Sequence, residues 1–144
     1  MATTNTYLTF NGNCEEAFNF YKSAFGGEFT YIGRFGEMPP SEECSMSEAD
    51  KNKIMHVSLP IGSSVLMGSD TGEQWAPNFK QGNNFSISVS VDSKAEADDL
   101  FAKLSKGGQV TMAMESTFWG DYFGMLTDQF GVQWMISFNE NEMS

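Results

Sequence analysis

Apolar and polar positions change period several times along the chain, and each change marks an element. Tyr7-Leu8-Thr9-Phe10 alternates and runs into Asn11-Gly12-Asn13, a short strand followed by a turn. Ala17, Phe20, Tyr21, Ala24 and Phe25 then recur at helical spacing. Asn13 is placed to cap that helix, Glu15 and Glu16 sit in its first turn, and Gly26-Gly27 stops it. Residues 28–35 (EFTYIGRF) are β-branched and aromatic, a second strand. Residues 36–52 hold Pro39-Pro40, serines and five acids, and read as a loop, either simply solvated or a lid. Residues 53–60 form a third strand and 64–68 a fourth, joined by a hairpin turn at Gly62-Ser63. A polar connector, 69–83, carries Trp75, which is expected to plug a core edge or a subunit contact before it binds a ligand.

The pattern then starts again. Residues 85–91 (FSISVSV) alternate strictly, and Asp92 or Ser93 caps a helix whose apolar positions are Ala97, Leu100, Phe101 and Leu104. Gly107-Gly108 ends it, a strand covers 109–114, two more strands reach Ser137, and 139–144 is a polar tail expected to fray. The helix pattern around Glu16-Ala17 and Phe20-Tyr21 returns at Glu96-Ala97 and Leu100-Phe101, each time before a Gly-Gly pair. The chain is therefore expected to be one domain of two βαβββ modules, about 5–70 and 84–138. Alternation turns Leu8, Phe10, Ile87, Val89 and Val91 toward the helices. It turns Tyr7, Thr9, Ser86, Ser88 and Ser90 to the other face, which is either solvated or the floor of a small cleft. The stretch 117–137 concentrates Trp119, Trp134, three phenylalanines and a turn at Asp128-Gln129-Phe130-Gly131; its rings either fill a core or line a pocket.

Composition narrows the partners. With 144 residues and 40% hydrophobic content the chain can bury a proper core. A net charge of -11 argues against nucleic acid and against anionic membrane surfaces. The N-terminus has no basic region followed by an apolar run, and no segment approaches the length of a membrane span, so a cytoplasmic location with reduced thiols is expected. Cys14 and Cys44 have no CxxC partner or basic neighbourhood and are expected to be unreactive.

The chain resembles the vicinal oxygen chelate superfamily, the group of glyoxalase I, extradiol dioxygenases and bleomycin-resistance proteins. Within it the chain is similar to the PhnB-like branch, which carries a 3-demethylubiquinone methyltransferase-type label. The residues that carry the resemblance are Tyr7 to Asn13, Glu16-Ala17, Phe20-Tyr21, Phe25-Gly26-Gly27, Ile54-Met55-His56, Leu66 to Asp70, Thr117 to Gly120 and Gly124 to Val132. The resemblance implies an α+β fold of two tandem βαβββ modules, forming a curved mixed sheet around a cleft, and a homodimer. It also implies metal-ligand positions on the first and last strands of each module. These fall at Thr6 or Tyr7, Ser86, Leu66 or Met67, and Met135. None is a histidine or a carboxylate, so no metal is expected, and with no Gly-rich loop after a parallel strand no other cofactor is expected either.

Few residues remain for chemistry. His56, the only histidine, shares a strand face with Ile54 and Ser58; it is either a general base or a structural imidazole satisfied by a neighbour. Asp121 follows Trp119-Gly120 and either serves as a base beside Tyr122 or belongs to a polar strand face. Glu115 is placed similarly, and Asp128 is expected to bond its own turn. Ser64, Ser86 and Ser88 show no His-Asp partner, so no triad is expected. Ten methionines either fill gaps or make a greasy, adaptable pocket. The expected ligand-binding set is Tyr7, Thr9, His56, Met67, Ser86, Ser88, Trp119, Tyr122, Met125, Trp134 and Met135. Three functions compete: a metal-free binder of a small molecule, a metal-dependent or His/Asp-assisted enzyme of the glyoxalase or dioxygenase type, and a purely structural dimer module.

Overall fold

A computed structural model of the chain describes residues 2–37, 48–72, 77 and 79–140. The chain divides into two compact units, Met1–Lys80 and Gln81–Ser144. The first contains β1 (Tyr7–Phe10), α1 (Cys14–Phe25), β2 (Tyr31–Arg34), a 3-10 turn at Phe35–Glu37, a one-turn helix α2 (Glu48–Lys51), β3 (Ile54–Ile61) and β4 (Ser64–Asp70). The second contains β5 (Ile87–Ser90), α3 (Lys94–Ser105), β6 (Gln109–Ser116), β7 (Asp121–Thr127) and β8 (Gln133–Asn139). The sheets run β1-β4-β3-β2 and β5-β8-β7-β6. In both, the first strand lies parallel to the last and the other pairs are antiparallel. The sequence repeat is thus a repeat of topology, an α+β fold of two βαβββ units.

Several element boundaries differ from the sequence expectation for physical reasons. The second strand shrinks to four residues because β2 is an edge, paired among the described residues with β3 alone, and its ladder is broken between Gly33 and Arg34. The fourth strand extends to Asp70 because β1 and β3 bond it from both sides. Asn139, expected in a frayed tail, pairs with Asp121. The end of the expected loop 36–52 is the helix α2. The segment 38–47, on which the lid reading rests, lies outside the described residues, as do Cys44 and Trp75.

Alternation places the cores as expected. In the first unit Leu8, Phe10, Val57, Leu59 and Leu66 are buried beneath Ala17, Phe18, Tyr21 and Ala24 of α1. The inner face of that helix is led by Phe18, where periodicity pointed to Phe20 and Phe25. Gly68 makes room for it: a Cβ there would lie 2.5 Å from Phe18 Cε1 and 3.0 Å from the Leu8 carbonyl oxygen. In the second unit Ala97, Leu100 and Leu104 of α3 are buried with Tyr122, Leu126, Trp134, Ile136 and Phe138. Both helices end as the Gly-Gly pairs require, with φ +82° at Gly26 and +78° at Gly107.

Two buried carboxylates organise the turns. Asn13 makes no side-chain cap on α1. Asp70 does the work from the end of β4: its Oδ1 accepts from the Gly12 N–H (3.0 Å) and the Cys14 N–H (2.9 Å), and its Oδ2 from the Ile54 N–H (2.9 Å). Asp128 bonds its own turn as expected, accepting from the Phe130 N–H (2.8 Å) and the Val132 N–H (3.1 Å), and adds the Trp134 indole N–H (2.8 Å). Helix α3 is capped locally by Ser93, whose hydroxyl accepts from the Glu96 N–H at 3.0 Å.

Cys14 lies fully buried beside the first of these carboxylates. Burial, reinforced by Asp70 and Glu15, pushes its thiol well above the ordinary range. The peptide carrying Cys14 is therefore expected to stay unmodified by iodoacetamide at pH 8 in the native protein and to be alkylated fully in urea, as read by peptide mass spectrometry. Rapid native labelling would show that the core opens at this point.

Candidate functional site on the first sheet

Each sheet carries its helix on one face, so the residues left for function project from the other. On the first sheet the register sets one row across all four strands: Tyr7 opposite Met67, Met67 opposite Ser58, and Ser58 opposite Tyr31. Thr9 lies opposite Ser69 on the same face. His56 stands two residues before Ser58 on β3 and so shares that face. Its Nε2 is 2.9 Å from Ser58 Oγ and its Nδ1 is 3.3 Å from Tyr7 Oη. The tyrosine rings flank the imidazole, with centroids 5.6 Å (Tyr7) and 5.9 Å (Tyr31) away. Gly33, opposite His56, admits the second phenol: a Cβ at Gly33 would lie 2.5 Å from Tyr31 Oη. Both tyrosines are 48% exposed. The set carries no carboxylate and no ammonium or guanidinium group.

Ile54, expected beside His56, is instead fully buried. The irregular pairing between Gly33 and Arg34, which sets Arg34 against Ile54, interrupts the alternation there. Arg34 itself is turned to Glu15, which accepts two hydrogen bonds from the guanidinium. That bonding holds the Glu15 carboxyl below its usual range.

On the second sheet the corresponding row is Ser88, Met135, Met125 and Met112, and the next is Ser90, Ser137, Phe123 and Glu115. Met125 and Met135 are half-buried and Ser86 and Ser88 exposed. Two members of the expected ligand set do not join them. Trp134 and Tyr122 alternate to the helix side and are buried. Trp134 is tied to Asp128, and Tyr122 donates its O–H to Asp98 of α3 while Lys94 sits over its ring. That hydrogen bond raises the Tyr122 pKa above the usual phenol range. Asp121 is likewise no neighbour of Tyr122 on one face. It accepts from the Trp119 indole N–H at 2.9 Å, near the β6–β7 turn. Trp119 is 52% exposed and packs edge-on against Phe118 and Phe123. The two candidate bases, His56 and Asp121, lie in different units.

The metal positions implied by the superfamily resemblance can now be fixed by register. Leu66 is buried under α1, so Met67 is the residue of β4 that faces away from it, opposite Tyr7. Met135 stands opposite Ser88, so the counterpart of Tyr7 is Ser88, not Ser86. Neither the phenol and thioether of the first unit (Tyr7, Met67) nor the hydroxyl and thioether of the second (Ser88, Met135) suits a hard or borderline divalent ion. Among the described residues, no three His, Cys, Asp or Glu side chains stand together as ligands. At the start of α1 the Gly12 and Cys14 N–H groups are bound by the Asp70 carboxylate, which places a negative charge where a phosphate would otherwise dock.

Fold and faces together match known proteins. The profile of the 3-demethylubiquinone-9 3-methyltransferase family spans residues 2–137, and the chain belongs to that PhnB-like family. Protein YjdN of Escherichia coli is 34% identical over 137 residues, 91% of each chain. The crystal structure of PA1353 from Pseudomonas aeruginosa is 42% identical with a TM-score of 0.79, covering 96% of this chain and 98% of that one. A putative 3-demethylubiquinone-9 3-methyltransferase, PhnB protein, from Bacillus cereus is 28% identical with a TM-score of 0.74, covering 95% and 99%. The fold is that of the glyoxalase/bleomycin resistance/dioxygenase proteins; one from Burkholderia phytofirmans, 16% identical, superimposes with a TM-score of 0.61 over 94% of this chain and 99% of that one. No helix among the described residues is long and apolar enough to cross a membrane.

Proposed function

We propose that the protein binds a small, partly apolar molecule, without a superfamily-type metal, against the face formed by Tyr7, Thr9, His56 and Met67. The observation that supports this most is the pair of half-exposed tyrosines flanking a hydrogen-bonded His56–Ser58 pair next to a methionine. Aromatic walls with a few converging polar atoms are what a small-molecule site requires: the rings bury the apolar part, and the imidazole and hydroxyls orient the polar part. Ser86, Ser88, Met125 and Met135 offer a second surface of the same kind, with thioethers that adapt to an irregular ligand. The protein acts as a homodimer in the cytoplasm on this reading.

Native mass spectrometry with elemental analysis of the purified protein tests it. The expected result is a mass twice that of the chain, a retained organic molecule and no stoichiometric transition metal. Tyr7→Ala with Tyr31→Ala is expected to weaken binding of that molecule about tenfold or more, since each aromatic contact contributes about 0.5–1.5 kcal/mol beyond buried area. A stoichiometric transition metal would overturn the metal-free reading.

A further inference from the structure

Ser64, Ser86 and Ser88 show no His-Asp partner in the sequence; Ser58 is hydrogen-bonded to His56 in the structure. We infer that Ser58 is a nucleophile activated by His56, and that this face carries out acyl transfer from small esters with a partly apolar acyl group. The inference deepens the binding reading, since it uses the same face.

The geometry is that of an activated hydroxyl: a nucleophile within 2.6–3.2 Å of its base, and the base oriented by a third group. Ser58 Oγ lies 2.9 Å from His56 Nε2, and Tyr7 Oη lies on the far side of the ring, 3.3 Å from Nδ1. With the proton on Nδ1 directed to the Tyr7 oxygen, Nε2 is free to accept from Ser58. The backbone fixes the serine as well: the Ser58 carbonyl accepts from the Thr30 N–H at 3.0 Å. Tyr31, directly across the ladder from Ser58, brings a phenol O–H to the same face. Its O–H, lying over Gly33 opposite His56, is the group assigned on this reading to donate to an oxyanion.

The step balances without a co-reactant other than water. Ser58 Oγ bonds to the acyl carbon as its proton passes to His56 Nε2. The bond from the acyl carbon to the leaving oxygen breaks, and that oxygen takes the proton from Nε2. Water then attacks the acyl carbon, gives a proton to Nε2, and Ser58 leaves with it. A phenol behind the imidazole stabilises the imidazolium less than a carboxylate would, so turnover is slow and the covalent adduct is the better readout.

A biotin-tagged fluorophosphonate tests this. Ser58 Oγ displaces fluoride from phosphorus, and the adduct is mapped by peptide mass spectrometry. The expected result is labelling at Ser58, none in Ser58→Ala, and a rate about a hundredfold lower in His56→Ala. Thermal unfolding of both variants checks that they are folded. Among the described residues, the groups against the ring are Tyr7 of β1, Tyr31 of β2 and Ser58 of β3. Tyr7→Phe, which removes the oxygen facing Nδ1 and leaves the ring in place, is expected to slow labelling of Ser58 about tenfold with the thermal midpoint unchanged, a split that a purely structural role would not give. Absence of an adduct on folded wild-type protein, or an adduct that persists in Ser58→Ala, overturns the nucleophile. If the same protein still retains its small molecule, the binding reading stands and only the acyl transfer falls.

Discussion

Replacing Asp128 by alanine is expected to cost about 3–5 kcal/mol, because it strands three donors inside the protein. The carboxylate is 3% exposed and is the common acceptor for the Phe130 and Val132 amides and the Trp134 indole. Water cannot easily replace it at this depth, and the turn from β7 into β8 takes its shape from these bonds. Asp128→Asn is expected to lose about 1–3 kcal/mol: its carbonyl oxygen still serves the two amides, but its NH2 then faces the indole N–H. Urea unfolding followed by tryptophan emission measures both. Adding Trp134→Phe to the alanine variant removes one stranded donor, so the pair should cost less than the sum of the single changes. A loss below about 1 kcal/mol for Asp128→Ala would mean that the turn finds other partners.

Asp70→Ala is expected to cause a loss of similar size, about 3–5 kcal/mol, in the first unit. Here the stranded amides are those of Gly12, Cys14 and Ile54. They belong to the start of α1 and the start of β3, so one side chain fixes where a helix and a strand begin. Hydrogen exchange distinguishes this from a general loosening. Those three amides should lose protection first, while the β3–β4 ladder at Val57 and Leu59 keeps it until global unfolding. Uniform loss of protection across the unit would show that Asp70 acts on overall stability only.

These two aspartates mark the limits of what sequence discloses. Asp128 was legible because its main partners lie two and four residues away, within the reach of a turn. Asp70 was not, since its partners come from residues brought near only by the sheet; the chain offered Asn13 as a local cap, and a charged group from β4 won. The two βαβββ repeats, the helix ends and the turning of Leu8 and Phe10 toward α1 all followed from period and from glycine placement. The site was half visible. Alternation put His56 with Ser58, and Tyr7 with Thr9, but it also put Ile54 beside His56; which side chains of different strands touch depends on register, a property of pairs of strands. Ser58 lay in view as the neighbour of His56 and was passed over for serines elsewhere. Trp134 and Tyr122 were misassigned because aromatic content alone does not say which face of a strand a ring occupies. One residue of phase separates Met125, half-buried on the face away from α3, from a core residue such as Leu126.

The parallel pairing of the first and last strands in each unit also bears on how the protein is made. Tyr7 waits for Met67, and Ser88 for Met135. Until β4 leaves the ribosome, β1 lacks the strand it pairs with, since among the described residues β4 is its neighbour in the sheet. The same holds for β5 and β8. Contacts so far apart in sequence close slowly, after local helices and hairpins have formed. During translation each unit therefore passes through a stage in which α1 or α3 and a hairpin exist above an incomplete sheet with bare edges. The second unit can complete its sheet only once β8, the last strand, has emerged. How long residues 133–139 take to reach that edge sets how long it stays exposed to other nascent chains.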